Sequence, residues 1–137
     1  MNRLTLKYEL DLDFVLIAIT SQLKDYLLCF KLNRQLNINF YKIDELIIET
    51  NSGSLFFSRY HYQIPETETD FYLLSNKGEQ GYLIQEMRTV DYFIIIRNYI
   101  SKEETDEFID GINKLQEVVA AIEVDPRRLK SKENLIF

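Results

Sequence analysis

Asp91-Tyr92-Phe93-Ile94-Ile95-Ile96-Arg97 is the stretch of sequence that decides the fold. Five large apolar residues follow one another here, with one charged residue at each end. A strand with one wet face would alternate apolar and polar side chains, so an unbroken apolar run of this length is typical of a strand buried on both faces. We therefore predict a strand over 91–97 at the centre of a sheet that is covered on both sides.

The preceding sequence predicts an antiparallel meander around this strand. The turn residues Asn51-Ser52-Gly53 are typical of a hairpin between two strands. The apolar run at 14–19 is typical of a fully buried strand, and a helix over the same residues remains the alternative. The predicted strands before residue 91 are Leu4–Leu10, Phe14–Ile19, Glu45–Thr50, Leu55–Gln63, Phe71–Ser75 and Tyr82–Glu86.

Two amphipathic helices are predicted to cover the sheet. The first begins at Thr20 or Ser21 as its N-cap and ends near Leu36. The second follows the capping box of Ser101 and Glu104 and runs to about residue 124. Its apolar stripe at helical spacing is Phe108, Ile112, Leu115, Val119 and Ile122. The sequence thus predicts one α+β domain over residues 1–137, with a single antiparallel sheet of six or seven strands and two amphipathic helices packed on it.

Charge and hydropathy restrict the class of partner. The 137-residue chain has a net charge of −6, and because residues 125–137 carry +2, the remainder carries −8. An acidic body repels phosphate backbones and anionic lipid, so we expect neither nucleic acid nor membrane as a partner. The longest apolar run is the six residues 14–19, and Met1–Thr5 lack a signal-peptide pattern, so we predict a cytoplasmic protein.

The basic then apolar C-terminal tail, residues 125–137, has two interpretations. It is typical of a solvated, partly mobile terminus. It also suits docking on the acidic body, or capture of an acidic partner.

The sequence points to no cofactor. Cys29 is the single cysteine, so no disulfide can form within the chain and no cysteine-based zinc site can be built. Its apolar neighbours predict a small buried side chain rather than a reactive thiol. The chain has only four glycines, which are too few for most glycine-rich phosphate-binding loops.

Residues 64–71, Ile-Pro-Glu-Thr-Glu-Thr-Asp-Phe, form the least ordinary segment. If it is extended, its three carboxylates share one side and could bind a cation. If it makes a helical turn, Glu66 and Asp70 lie together. The plainer interpretation is a solvated loop in which Asp70 bonds to its own backbone.

Arg59 and the single histidine, His61, precede this segment on one strand face. His61 is three residues before the segment, so it could lie near Glu66. A catalytic base or metal ligand needs a convergent partner, and a lone histidine on a strand is more often a surface or core residue.

Ile64, Pro65 and Glu66, followed by three variable residues, Asp70 and an aromatic residue, resemble the signature of the IPExxxDY family. The resemblance extends to segments elsewhere in the chain: 24–28, 32–33, 90–93 and 134–137. Phe71 stands where the family signature has Tyr, which implies a packed ring rather than a proton donor at this position. The resemblance directs attention to residues 64–71 and implies no particular activity.

Two functions are expected from these observations. The first is a non-enzymatic protein-binding or adaptor module that works through a sheet face or a sheet edge. The second is a small enzyme or a metal- or ligand-binding domain centred on Ile64–Phe71, with Glu66, Asp70 and His61 converging in one pocket. A homodimer through a sheet edge is compatible with either.

Overall fold

Six antiparallel strands and two helices make up the computed structural model, which describes residues 11–137. The strands are β1 (Val15–Ser21), β2 (Tyr41–Thr50), β3 (Gly53–Ile64), β4 (Thr69–Ser75), β5 (Tyr92–Arg97) and β6 (Val118–Val124). The helices are α1 (Asp25–Leu36) and α2 (Lys102–Asn113). The strand order is β2-β3-β4-β5-β1-β6, which confirms an α+β fold with a single antiparallel sheet. The strand predicted at Leu4–Leu10 lies outside the described residues.

β5 lies inside the sheet between β4 and β1, and both of its faces are buried, as its unbroken apolar run predicted. Ile94 points into the core under the two helices, here called the helix face. Phe93 and Ile95 point into the core on the opposite side, here called the loop face. The sheet therefore has two cores, and β5 contributes to both.

The loop face is covered by irregular chain rather than by helices. The strand predicted at Tyr82–Glu86 is wrong, because Tyr82 forms only one isolated bridge, with Lys77. Leu83 and Ile84 are fully buried against the loop face. The apolar residues of this segment indicate burial correctly, but they pack from a loop onto the sheet instead of joining it.

The C-terminal tail completes this cover. It forms two short 3-10 turns, Pro126–Arg128 and Lys132–Leu135, and it buries Leu129 and Leu135 in the loop-face core. The Glu86 carboxylate accepts hydrogen bonds from the backbone of Lys130 and, at 3.0 Å, of Ser131. The solvated terminus predicted for this tail is therefore wrong. The tail docks on the body through apolar side chains and backbone groups.

α1 begins later than its sequence pattern predicted. Thr20 and Ser21 do not cap the helix, because both still pair with β6 as part of β1. The N-cap is Lys24, whose side chain makes no capping hydrogen bond. The predicted end near Leu36 is confirmed, since Asn37 takes a left-handed conformation with φ of 54°.

α2 ends earlier than predicted. Its capping box of Ser101 and Glu104 is confirmed, but the helix stops at Asn113. The last two positions of the predicted stripe lie instead on β6, where Val119 is 75% exposed and Ile122 is 57% exposed. β-branched residues favour strands, and β6 pairs along the free side of β1, so the strand prevails over helical spacing.

Across residues 11–137, no helix combines the length and the apolar content that crossing a membrane requires.

Candidate functional site

The signature segment, residues 64–71, is the turn and returning strand of the β3–β4 hairpin. Pro65 to Glu68 form the turn, in which the Glu68 N–H donates to the Pro65 carbonyl at 3.3 Å. Glu68 takes a left-handed φ of 54°, and its carbonyl accepts from the Asn98 amide at 2.6 Å. Because side chains alternate along a strand, the signature residues divide between the two faces of the sheet.

On the helix face, the signature lines a cavity of about 390 Å³, here called the signature cavity. The Phe71 ring forms part of its wall, with ring centroids 5.4 Å from Tyr62 and 5.2 Å from Phe108. Ile64 lines the same cavity from the end of β3. Its remaining walls come from the hairpin turn and the start of β4, from the end of α1 and the chain after it, and from the chain before α2 and the first turns of α2: Thr67, Thr69, Leu36, Ile38, Tyr99, Ile100, Glu104 and Glu107.

The mouth of the signature cavity is polar and acidic. Thr67, Tyr99, Glu104 and Glu107 are exposed around it. The backbone hydrogen bond from Ser101 lowers the pKa of the Glu104 carboxyl below its ordinary value, with the Ser101 side chain as a second cause. Glu104 is therefore ionised at neutral pH, and an apolar wall lies behind a negatively charged mouth.

The buried threonine of the cavity has no free polar group. The Thr69 hydroxyl lies 2.7 Å from the Tyr99 carbonyl, to which it donates, and 2.7 Å from the Thr67 hydroxyl. These bonds hold the chain before α2 against the hairpin. The backbone of Tyr99 is thereby tied to the signature segment.

On the loop face, three polar side chains form one hydrogen-bonded row. His61 Nε2 lies 2.7 Å from Asp70 Oδ1, and His61 Nδ1 lies 3.1 Å from the Tyr41 hydroxyl. The row follows strand register, because His61 is directly opposite Tyr41 on β2 and Tyr72 on β4. The His61 and Tyr72 rings are 4.8 Å apart.

Asp70 is held by side chains rather than by its own backbone. Besides His61, it accepts from the Gln63 amide at 3.2 Å and from the Asn98 amide at 3.5 Å. The interpretation that Asp70 closes its own turn is therefore wrong. These donors fix the carboxylate under the imidazole.

Two arginines and one aromatic ring border the row. The Arg97 and Arg59 guanidinium carbons lie 4.4 Å and 5.1 Å from the centroid of the Phe137 ring. Arg97 donates to the backbone oxygens of Leu135 at 2.6 Å and Phe137 at 2.9 Å, and Arg59 donates to the Asp44 carbonyl at 2.9 Å. Burial, and after it the Asp70 charge, raise the pKa of Tyr72, so its phenol is neutral at physiological pH.

The predicted convergence of Glu66, Asp70 and His61 is realised only in part. Asp70 and His61 meet, whereas Glu66 and Pro65 are exposed on the hairpin turn. Within residues 11–137, no three histidine, cysteine, aspartate or glutamate side chains are grouped so that they could hold a metal ion. The buried state predicted for Cys29 is confirmed, and burial raises the pKa of its thiol.

Sequence reasoning missed Tyr41 and Tyr72. It also missed Gln63 and Asn98, whose side-chain amides donate to Asp70. The signal for Tyr72 was available, since it is two residues from Asp70 on the same strand and so shares its face. The partnership of Tyr41 and His61 joins residues 20 apart. It depends on a register that includes a bulge between Ile43 and Leu46, which local periodicity does not reveal.

The chain matches no protein-family model, and a search of curated protein sequences finds no significant match. The resemblance to the IPExxxDY family stays a prediction that depends on the quoted residues. Function is accordingly inferred from the geometry on the two sides of the hairpin.

Proposed function

We propose that this chain is a cytoplasmic protein-binding module of the IPExxxDY type. It receives one apolar side chain of a partner segment in the signature cavity, and a lysine or arginine beside that side chain meets the acidic mouth. The observation that carries the proposal is a mostly apolar cavity behind exposed carboxylates, lined in part by the segment that the sequence singles out.

The size and lining of the cavity suit an aliphatic or aromatic side chain. Its volume of about 390 Å³ lies at the lower end of the range typical of ligand pockets. Phe71, Phe108 and Ile64 supply apolar surface for the partner side chain. Removing that side chain from water is the main favourable term in such an anchor.

Charge selects which partner segment enters. Glu107 and Glu104 stand at the mouth, on a chain whose net charge is −6. An acidic mouth attracts a basic partner and repels an acidic one, which gives specificity and faster association. The exposed Tyr99 ring beside it belongs to a residue type enriched in protein interfaces.

The two free sheet edges suit a partner less well than the cavity does. At β6, the Asn113 amide already bonds both the N–H and the carbonyl of Ala121, at 2.8 Å and 2.9 Å. At β2, a bulge and several charged residues, Lys42, Asp44, Glu45 and Glu49, oppose strand addition. We therefore favour the cavity over an edge, and the homodimer through a sheet edge stays a prediction.

Selection from a displayed random-peptide library on the immobilised chain tests the proposal. We expect selected peptides to place an apolar residue beside lysine or arginine. Thr67→Trp fills the mouth from an exposed position and should weaken such a peptide about tenfold or more, measured by fluorescence anisotropy. Thr89→Trp is the matched control, since Thr89 is exposed and is not among the residues that line the cavity.

A second pair of variants tests the role of charge. Glu107→Lys should weaken the same peptide, whereas Glu103→Lys should change binding much less, because Glu103 is exposed on the same helix and does not line the cavity. Peptides that bind equally to wild type and Thr67→Trp would place the binding surface elsewhere. A small apolar molecule that binds where no peptide does would favour the ligand-binding alternative.

A further inference from the structure

Tyr41, His61 and Asp70 form a chain of donors and acceptors with a defined direction. An ionised carboxylate only accepts hydrogen bonds, so the contact of 2.7 Å places the proton of a neutral imidazole on His61 Nε2. His61 Nδ1 then carries a lone pair and accepts from the Tyr41 hydroxyl at 3.1 Å. The phenol proton thus points at a base that Asp70 orients.

The position of Tyr41 leaves its side chain within reach of a reagent from solvent. The residue is 52% exposed at the start of the edge strand β2, while His61 and Asp70 are half-buried behind it. A nucleophile hydrogen-bonded to a base, with the base oriented by a third group, is the arrangement that activates hydroxyl nucleophiles.

We infer that Tyr41 is an activated nucleophile that takes acyl groups from activated esters. His61 is its general base and Asp70 a positioning residue. This site is on the loop face and is separate from the signature cavity.

The proposed transfer is balanced in atoms and charge. The Tyr41 oxygen attacks the ester carbonyl carbon while its proton passes to His61 Nδ1. The tetrahedral adduct then breaks the bond to the leaving oxygen, which departs with the bonding electron pair and takes the proton back from the imidazolium. The products are an O-acyl ester on Tyr41 and the free alcohol or phenol of the leaving group.

The surroundings favour an uncharged acyl donor over a phosphoryl donor. The chain has a net charge of −6, which opposes the approach of an anionic phosphate ester and leaves a neutral ester unaffected. Arg97 and Arg59 border the row, but both Nη atoms of Arg97 and Nε of Arg59 already donate to backbone oxygens.

Acetylation by p-nitrophenyl acetate, followed by peptide mass spectrometry, tests the inference. Tyr26 and Tyr99 are internal controls, because they are 58% and 65% exposed, whereas Tyr41 is 52% exposed and its phenol contacts His61 Nδ1. We expect Tyr41 to be acetylated about 100-fold faster than either control, which is the usual scale of general-base assistance. His61→Gln should reduce the rate at Tyr41 to that of the controls, and Asp70→Asn should reduce it less.

Three results would overturn the inference: equal rates at Tyr41, Tyr26 and Tyr99; an unchanged Tyr41 rate in folded His61→Gln; or acetyl found on His61 in place of Tyr41. If His61→Gln does not fold, the comparison of the three tyrosines in the wild-type chain still decides. Circular dichroism of each variant separates loss of base from loss of structure.

Discussion

The helix face and the loop face of the sheet are closed by different means. On the helix face, α1 and α2 satisfy most of their own backbone hydrogen bonds, so their side chains need only pack. On the loop face, the cover is irregular chain whose backbone groups require partners of another kind. Polar side chains supply them: Asn76, Glu86, Arg97 and Asn134.

Asn76 illustrates the difference. Its side-chain amide is fully buried, donates to the carbonyls of Met87 and Val90, and accepts from the Ile84 N–H at 2.8 Å. One residue therefore fixes three points of the loop that holds Ile84 against the sheet. A loop can close a core as well as a helix does when a few buried polar groups replace its missing regular hydrogen bonds.

The largest expected effect compares the two faces at neighbouring residues of β5. Phe93→Ala should destabilise the fold by about 3–5 kcal/mol and Ile94→Ala by about 2–5 kcal/mol, because both side chains are fully buried. Urea denaturation measures both free energies of unfolding. If Phe93→Ala lowers the free energy of unfolding much less than Ile94→Ala does, the loop face must collapse into the space left by the Phe93 ring. The loop face would then be less firmly packed than the helix face.

A smaller effect compares one asparagine from each face. Asn76→Ala should destabilise by about 3 kcal/mol, since it leaves the buried Ile84 N–H and Val90 carbonyl without the side-chain partner that each has in the wild type. Asn113→Ala should cost about 1 kcal/mol, because its two bonds to Ala121 are only partly buried at the sheet edge, and water can enter the space left by the removed side chain and replace the amide. Equal losses in urea denaturation would contradict the distinction between the two kinds of cover.

The smallest effect concerns pH and the docking of the tail. Partial burial raises the pKa of Glu86, but hydrogen bonds from Ser131 and Lys130 outweigh it, so the net pKa lies below the ordinary value of 4.5. A carboxyl whose pKa is lowered by folding stabilises the folded state above its unfolded pKa and loses that contribution as pH falls through the folded pKa. The protection of residues 129–135 against hydrogen exchange, measured relative to the intrinsic exchange rate at each pH, should therefore decrease in wild type as pH falls below the ordinary carboxyl pKa of 4.5.

Glu86→Gln provides the control for this pH dependence. Its tail should exchange faster than that of wild type at pH 7, and the difference should shrink as pH falls below the range in which Glu86 is ionised. Identical exchange in the two proteins at pH 7 would show that Leu129 and Leu135 hold the tail without help from the carboxylate.

The same contrast explains which parts of the fold were predictable from the sequence. The central strand and the start of α2 depend on local patterns, namely an apolar run and the capping box of Ser101. The loop cover depends on single residues with distant partners, such as Asn134, which donates to the Leu83 carbonyl 51 residues away. No periodicity marks such a residue, so Leu83 and Ile84 were interpreted as part of a strand.

The predicted end of α2 was wrong for a different reason. Val119 and Ile122 continue the helical spacing of Phe108, Ile112 and Leu115, and the same residues also suit a strand. Pairing with β1, which is about 100 residues earlier in the chain, decides between the two. At the site, the proximity of His61 to the signature was predictable from sequence distance, whereas its contact with Tyr41 required the register across the bulge.

The position of β1 between β5 and β6 also affects when this strand can pair during synthesis of the chain. Leu16, Ile17 and Ile19 are fully buried in the finished fold, yet their neighbours on β5 are synthesised about 75 residues later. At ribosomal rates of about 5–20 residues per second, this apolar strand remains without its partner β5 for roughly 4–15 s. We therefore expect the nascent chain to bind chaperones that hold apolar segments, and slowing elongation between residues 21 and 92 should lower its soluble yield.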